Sequence, residues 1–280
     1  MQDIFNKLEF RSFSYEEDSE AVADMHCCAE ILEGSWFDRS DTCKMHAKVV
    51  ARSPGSSWVV AYGSVIFAHA DLIKTSTQEA SVLGWRLHEN FRYPQVARML
   101  FEGLCREARK REYTEMVIYA DNSRVDEELA MLGMQPDRRY QYADPSSAGN
   151  SRILRSQRVV LNSDDVSQMP LTKFLGLPLP PAYILQKAYM GADYAVFKHS
   201  KPSTFEIYHN DHTYLACHDG REWHIFRQGD FKAEKEIISP LLKTIASLQS
   251  GHIMLSDKAA EAAELIPIND GVYHDYYTAI

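Results

Sequence analysis

The sequence lacks the features that mark several specialised classes of protein. It contains no run that approaches the ~20 apolar residues needed to span a bilayer. Its first residues, MQDIFNKLEFRSF, contain no apolar run preceded by cations, so they do not resemble a signal peptide. There is no stretch rich in Lys and Arg, and the net charge of −9 disfavours binding to nucleic acid. These absences predict a soluble, cytoplasmic protein with neither a membrane nor a nucleic-acid partner.

The cysteines also lack an informative spacing. There are five, they are scattered, and no CxxC motif occurs, so they indicate neither a disulfide framework nor a zinc site. The histidines of the second half likewise show no ligand spacing. We therefore expect reduced thiols that pack as small hydrophobic side chains, and no bound metal.

What the sequence does have is the composition of an ordinary globular protein. Apolar residues make up 45% and charged residues 25% of 280 residues, a length that is comfortable for two domains. The clearest linker signal is DPSSAGN at 144–150, and LPLPP at 177–181 is incompatible with regular elements. We predict a first domain at 1–145, a linker with helices at 146–193, and a second domain at 194–280.

The hydrophobic periodicity of the first half predicts a mixed pattern of strands and helices. Regular βαβ alternation is missing, so a doubly wound dinucleotide-binding fold fits poorly and an α/β protein with a mixed, twisted sheet is expected. The predicted strands are 7–13, 58–62, 65–72, 81–91, 115–120 and 138–143, and the predicted helices are 15–32, 41–51, 94–111 and 123–132.

Two groups of residues in this half carry a resemblance to a known family. LHENFR at 87–92 ends the fourth predicted strand and continues as YPQVA at 93–97 into a helix. NSRV at 122–125 and LGM at 132–134 begin and close the next helix. Over about residues 8–145 they resemble the V-H-P-E-Y-R, R-x-x-G-x-G/A, N-x-x-A and L-G-F motifs of the GNAT superfamily of N-acetyltransferases.

The resemblance implies a GNAT acyltransferase fold that binds acetyl-coenzyme A as a co-substrate. In such a site the N–H groups and dipole of a helix N-terminus hold the pyrophosphate. Gln95 replaces a loop glycine and takes up space near the phosphates, whereas Arg92 and Arg98 can compensate with charge-assisted contacts. The alternative is that both arginines are solvated charges at a helix end. The residues that match the coenzyme-binding motifs are Leu87, Arg92, Gln95, Val96, Ala97, Arg98 and Asn122.

Catalysis by such an enzyme requires a base, because an ammonium ion has no lone pair with which to attack. The resemblance implies an acidic residue or His on the central strands, and a Tyr that protonates the leaving thiolate. Glu89 and His88 are the candidate catalytic residues, with the alternative that they are surface groups at a strand end. Leu129 stands at the usual Tyr position and cannot donate a proton. His69, within an apolar run, is predicted to be a hydrogen-bonded core or edge residue.

The second half echoes the first. Arg92 and Ile118 are 26 residues apart, as are Arg227 and Ile253, and the predicted elements between them correspond. We therefore predict two GNAT-like domains in tandem, although common α/β spacings can coincide by chance. Asp230 takes the place of Gln95 in the second copy. Its carboxylate would repel a diphosphate, but Asp is also an excellent helix N-cap, and we favour the capping role. This half is not expected to bind coenzyme.

The sequence as a whole favours an acetyl-coenzyme A-dependent N-acetyltransferase that acts on a small-molecule or peptide amine. The residues Gln95 and Leu129 favour a rival function, that of a non-catalytic GNAT-like protein that senses coenzyme A or binds other proteins. The acceptor is not visible in the sequence, because variable loops determine it on a common fold. Whether the chain forms a homodimer stays open.

Overall fold

The computed structural model of the chain describes residues 5–32, 55–74, 77–120, 123–149, 151–160, 171–175, 203–218, 222–228, 235–265 and 267–280. The chain divides into two compact units. The first unit is Met1–Asp137 with His274–Ile280, and the second is Arg138–Tyr273. The predicted domain bounds of 1–145, 146–193 and 194–280 stay a prediction, and much of the predicted linker lies outside the described residues.

The described helices and strands of the first half follow the predicted order, whereas two strands, Arg155–Val159 and Leu171–Leu175, lie where a linker with helices was predicted. The helices are α1 (Tyr15–Leu32), α2 (Pro94–Lys110), α3 (Ser123–Ala130), α4 (Lys235–Leu248) and α5 (Asp257–Ala262). The strands are β1 (Glu9–Ser12), β2 (Ser57–Tyr62), β3 (Val65–Lys74), β4 (Glu79–Leu87), β5 (Glu115–Ala120), β6 (Arg138–Ala143), β7 (Arg155–Val159), β8 (Leu171–Leu175), β9 (Ser203–His209), β10 (His212–His218), β11 (Glu222–Gln228), β12 (His252–Ser256) and β13 (Pro267–Ala279). The predicted helix 41–51 lies outside the described residues.

The sheet of the first unit is mixed, as predicted. Its strand order is β1-β2-β3-β4-β5-β13, and every neighbouring pair is antiparallel except the parallel pair β4 and β5. The ladder between β4 and β5 runs from Glu79–Glu115 to Val82–Ile118 and stops there. Since β4 continues to Leu87 and β5 to Ala120, the two strands separate beyond the Val82–Ile118 pair.

The two faces of this sheet are covered differently. Helices α2 and α3 cover one face with a large apolar core that includes Trp85, Leu100 and Leu129. Helix α1 covers the other face with a much smaller apolar cluster: Phe13, Val22, Met25, Val59, Ala61 and Ile66. The α1 face therefore has room for polar side chains within the unit.

The last strand of the first unit comes from far along the chain. Residues 274–279 of β13 pair with β5, from His274–Ala120 to Ala279–Glu115. Tyr276 on this strand is 3% exposed, and its hydroxyl donates to Asp126 Oδ1 of α3 at 2.7 Å. The strand that follows α3 in sequence, β6, instead pairs with β12 in the second unit.

The second unit repeats the topology of the first. Its order β9-β10-β11-α4-β12-α5 corresponds to β2-β3-β4-α2-β5-α3, and β11 and β12 are again the parallel pair. The equal 26-residue spacing does not mark equivalent positions, however. Arg227 lies within β11, whereas Arg92 lies five residues beyond the end of β4. The repeat is therefore one of element order and strand direction.

The parallel pair of the second unit has an additional neighbour. Strands β11 and β12 are paired only at Glu222–His252 and Trp223–Ile253. Beyond that point β8 pairs with residues 225–228 of β11. The other edge of β11 is already bonded to β10. Strand β8 therefore lies on the edge of β11 that faces β12, beyond the point where the β11–β12 pairing ends.

Candidate functional site

The gap between β4 and β5 in the first unit is marked by a distortion of β4. The register between β3 and β4 shifts between His69 and Asp71, and Gly84 in the same stretch has a φ of +59°. Residues that carry a side chain rarely adopt that backbone conformation. A Cβ at Gly84 would also lie 3.2 Å from Cε1 of His26. Glycine is therefore needed at this point, two residues beyond the last β4–β5 pair.

The N-terminus of α2 follows the gap and holds most of the predicted coenzyme-binding loop. Pro94 is the first helical residue and has no N–H to offer. The N–H groups of Val96 and Ala97 both donate to the carbonyl of Tyr93, at 2.9 and 3.1 Å. Both of these side chains are fully buried in the core. Gln95 is thus the residue of this turn whose N–H the helix leaves without an internal acceptor.

Arg92 is held by carboxylates of α3. Its Nε donates to Glu128 Oε1 at 2.8 Å, and an Nη donates to Glu127 Oε2 at 3.2 Å. Glu128 is 3% exposed and also accepts from the indole of Trp85 at 3.0 Å. Burial raises the pKa of Glu128, and the neighbouring Arg92 opposes that change. The structure therefore places the guanidinium of Arg92 in an ion pair that anchors the loop to α3.

Arg98 is placed differently from Arg92. It is exposed on the first turns of α2 and lines a groove of ≈ 410 Å³. The other residues of the groove are Leu8, Phe10, Gln95, Met99, Glu102 and Arg106. Two of the predicted ligand-binding residues, Gln95 and Arg98, are thus brought together at one surface.

The remaining predicted residues lie around the end of β4 and on α3. His88 is half-buried, and its Nδ1 accepts from the N–H of Asn90, so it caps the short 3₁₀ turn Glu89–Phe91. Glu89 is exposed and lies 3.5 Å from an Nη of Arg124. Leu87 is buried, and Leu129, at the usual Tyr position, is fully buried in the core. Asn122 lies outside the described residues.

A buried polar cluster on the α1 face is the main feature that the sequence analysis missed. His26 Nε2 lies 3.0 Å from His69 Nδ1, and His69 Nε2 lies 2.8 Å from the hydroxyl of Ser57. Asp71 Oδ1 lies 3.6 Å from His69 Nε2. Burial raises the pKa of Asp71 to about 7, against the opposing effect of its hydrogen bond from Ser57. The prediction that His69 is a hydrogen-bonded core residue is confirmed.

Part of this cluster was visible in the sequence. His69 and Asp71 are two residues apart on a strand, so they must face the same side of the sheet. The contribution of His26 was not visible, because it arises from the packing of α1 on β3.

Neither a metal centre nor a membrane span is found in the parts of the chain that the structure describes. There, no three His, Cys, Asp or Glu side chains lie close enough together to hold a metal ion. No helix among the described residues combines the length and the apolar character needed to cross a bilayer.

Comparison with known proteins gives matches in structure but not in sequence. No protein-family profile and no curated protein matches the sequence. A GCN5-related N-acetyltransferase from Anabaena variabilis matches with a TM-score of 0.59 at 11% identity, over 97% of this chain and 72% of its own. The corresponding enzyme from Sphaerobacter thermophilus gives a TM-score of 0.56 at 10% identity, over 98% and 96%.

A third match concerns the whole length of the chain. A tandem GNAT protein from the clavulanic acid biosynthesis pathway matches with a TM-score of 0.51 at 13% identity, over 97% of this chain and 98% of its own. At such low identities a structural match establishes the fold alone. The protein has the fold of the GNAT superfamily, that of the GCN5-related N-acetyltransferases, as its motifs predicted.

Proposed function

We propose that the first unit binds acetyl-coenzyme A and transfers its acetyl group to an amine of a small molecule or peptide. The observation that carries the proposal is the gap that opens between β4 and β5 after Val82–Ile118. An extended ligand with amide groups can enter such a gap and bond to a strand edge as an additional strand does. The pantetheine arm of coenzyme A is a ligand of that kind.

The phosphates are assigned to the N-terminal end of α2. Gln95, which offers its backbone N–H, and Arg98, which offers its guanidinium, line the same groove of ≈ 410 Å³. The positive end of the helix dipole adds to their attraction for an anion. Arg92 contributes indirectly, because its ion pair with Glu128 holds the preceding loop against α3.

We assign this function to the first unit because the corresponding gap of the second unit contains β8. A coenzyme arm and β8 would compete for the same residues of β11, 225–228. We therefore expect one molecule of coenzyme per chain.

A specific observation also favours the rival function of a non-catalytic protein that binds coenzyme A. Leu129 is fully buried among apolar side chains, so the position that usually carries the proton-donating Tyr contributes to packing instead. An acetyltransferase of this chain must protonate the leaving thiolate in another way, for example from the amine itself or from water. Binding without transfer is the outcome that would favour the rival.

The test is calorimetric titration of acetyl-coenzyme A into the wild-type protein and three variants. Arg98→Glu should weaken binding about 5- to 150-fold, which corresponds to a charge-assisted hydrogen bond of roughly 1–3 kcal/mol. Gln95→Gly should keep or improve the affinity, because it frees space near the phosphates. Arg109→Glu is the matched control: it makes the same charge change in the last turn of α2, about 16 Å along the helix.

The two arginine variants should therefore separate clearly, and added salt should weaken the binding of the wild type more than that of Arg98→Glu. No detectable binding by the wild type at millimolar ligand would contradict the proposed function. Equal affinity of Arg98→Glu and Arg109→Glu would show that the phosphates lie elsewhere.

A further inference from the structure

The buried cluster of His26, His69, Ser57 and Asp71 is not used by the coenzyme site described above. Three elements contribute to it: α1 provides His26, β2 provides Ser57, and β3 provides His69 and Asp71. His69 is fully buried, and His26 and Asp71 are each 4% exposed. Burial of ionisable groups costs free energy unless they are hydrogen-bonded or paired with an opposite charge. Clusters of such groups therefore tend to have a structural or a functional role.

The hydrogen bonds of the cluster have a direction. A carboxylate only accepts, so Ser57, whose hydroxyl bonds to Asp71, donates to it. The hydroxyl oxygen then accepts from His69 Nε2, and His69 Nδ1 accepts from His26 Nε2. These tautomers are assigned from the network. Every donor points towards Asp71, so this series of hydrogen bonds stabilises a positive charge gained on His26.

The His26 end of the network lies directly against the gap. The ring of His26 occupies the space in front of Gly84, with Cε1 3.2 Å from where a Cβ would be. Gly84 is itself two residues beyond the last β4–β5 pair, and it keeps some exposure to solvent. A substrate that reaches the end of a coenzyme arm in the gap would therefore lie next to His26.

We infer that His26 is the proton acceptor for the amine substrate, and that His69 and Asp71 are positioning residues that orient its ring and stabilise its charge. The inference rests on the proposed function. The substrate class is a primary amine that is an ammonium ion at neutral pH. This assignment differs from the predicted His88 and Glu89, of which one caps a turn and the other is exposed.

His26 takes one proton from the ammonium group, and the resulting lone pair attacks the thioester carbon. The C–N bond forms and the C–S bond breaks, and the second proton of the nitrogen passes to the leaving thiolate. His26 then releases its proton to solvent. No oxidant, reductant or metal is needed.

The charges around the cluster suit a base that works near neutral pH. Burial raises the pKa of Asp71 to about 7, so from neutral pH upwards the ionised carboxylate is available to stabilise a positive charge in the network.

The experiment measures thiol release from acetyl-coenzyme A with a panel of primary amines (spermidine, tyramine and a glycine-terminated peptide) from pH 6 to 10. His26→Gln should lower kcat about 100-fold at pH 7, within the usual range for loss of a general base. The KM for acetyl-coenzyme A should change less than twofold. The loss should shrink as the pH approaches the pKa of the amine, because the free amine no longer needs a base. His69→Gln should show a smaller loss with the same pH dependence.

Two further variants and a binding control distinguish the outcomes. His252→Gln, on an exposed residue of β12, should leave the rate and the pH profile unchanged. If His88→Gln lowers kcat in the pH-dependent way expected for His26→Gln, and His26→Gln does not, the assignment to His26 is overturned. A His26→Gln loss that is constant at all pH values would also overturn it, since that result indicates a structural role. Binding of acetyl-coenzyme A without transfer to any amine overturns the base assignment and leaves the coenzyme site standing. Absence of binding contradicts the proposed function itself.

Discussion

The two units share a topology and differ in what they do with it. Each contains three antiparallel strands, a helix, a parallel strand and a second helix, in the same order. In the first unit the gap beyond the parallel pair is bordered by β4 and β5. In the second, the edge of β11 beyond that pair is bonded to β8 of the same chain. The fold therefore provides the gap in both units, and among the residues that the structure describes a further strand pairs there in the second unit alone.

The difference extends to the side chains beside the gap. In β3, His69 and Asp71 lie on the sheet face opposite the core that α2 and α3 cover. In β10, the residues on the face opposite the core that α4 and α5 cover include Leu215 and Cys217. This face of β3 therefore buries polar side chains where the corresponding face of β10 buries Leu215 and Cys217. Strand order alone would not have revealed this difference.

The largest expected effect comes from removing the distant strand of the first unit. Deletion of residues 274–280 takes away six ladder pairs with β5 and the buried Tyr276. We expect the first unit to lose its cooperative fold, while strands β9 to β11 of the second unit keep their amide protection. Hydrogen exchange measured on both units tests this prediction.

A matched pair of point variants controls for the length of the deletion. Tyr276→Ala removes a side chain that is 3% exposed, and should cost about 3–5 kcal/mol. Tyr277→Ala, on the neighbouring residue that is 43% exposed, should cost less than about 1 kcal/mol. Equal costs for the two variants would contradict the placement of β13 in the first unit.

The second prediction concerns the pH dependence of the polar face. Burial raises the pKa of Asp71 to about 7, so the folded protein binds its proton more tightly than the unfolded chain does. The stability that this proton contributes is present below pH ~4, and it is lost as the pH rises towards 7. Each pKa unit corresponds to about 1.4 kcal/mol, so the loss amounts to a few kcal/mol at most.

Asp71→Asn should flatten this pH dependence for the first unit. The measurement is denaturant unfolding at pH 4, 5.5 and 7, followed by hydrogen exchange of β3 and, for comparison, β10. If stability at β3 rises between pH 4 and 7 at least as much in the wild type as in Asp71→Asn, the predicted direction is contradicted.

The smallest expected effect is local and concerns β8. A proline at Thr172 or Lys173 removes an N–H and should weaken the pairing of β8 with β11. Exchange should then accelerate at residues 225–228, while the β9–β10 ladder stays protected. The variants should still bind one coenzyme per chain if Asp230 repels phosphate as the sequence predicts. Unchanged exchange in both variants would show that β8 does not protect this edge.

The bounds of individual helices and strands were predictable because they depend on hydrophobic periodicity and on turn and capping residues that lie close together in the sequence. The predicted bounds of Tyr15–Leu32 and Glu115–Ala120 are those of α1 and β5, and α2 begins at Pro94 as predicted. The strand with which each strand pairs was harder to predict. Strand β6 was predicted with correct bounds, but nothing in its sequence indicates that it pairs with β12 while β13 pairs with β5.

The candidate site was predictable to a similar degree. The motif located the loop and the helix N-terminus, because these follow from strand and helix boundaries. The ion pair of Arg92 with Glu128 was not foreseen, since it joins residues 36 positions apart. The contact of His26 with His69 was missed for the same reason, because 43 positions separate them. Contacts between distant residues depend on packing, and a single sequence does not display packing.

The distant strand also sets the order of events during synthesis. Residues 1–137 leave the ribosome long before residues 274–279, which complete their sheet, have been made. At about 5–20 residues per second the delay is on the order of ten seconds. During this time the outer edge of β5 is exposed to other chains, and exposed strand edges promote aggregation. We therefore expect newly made chains to depend on chaperones more than the refolding of the finished protein does.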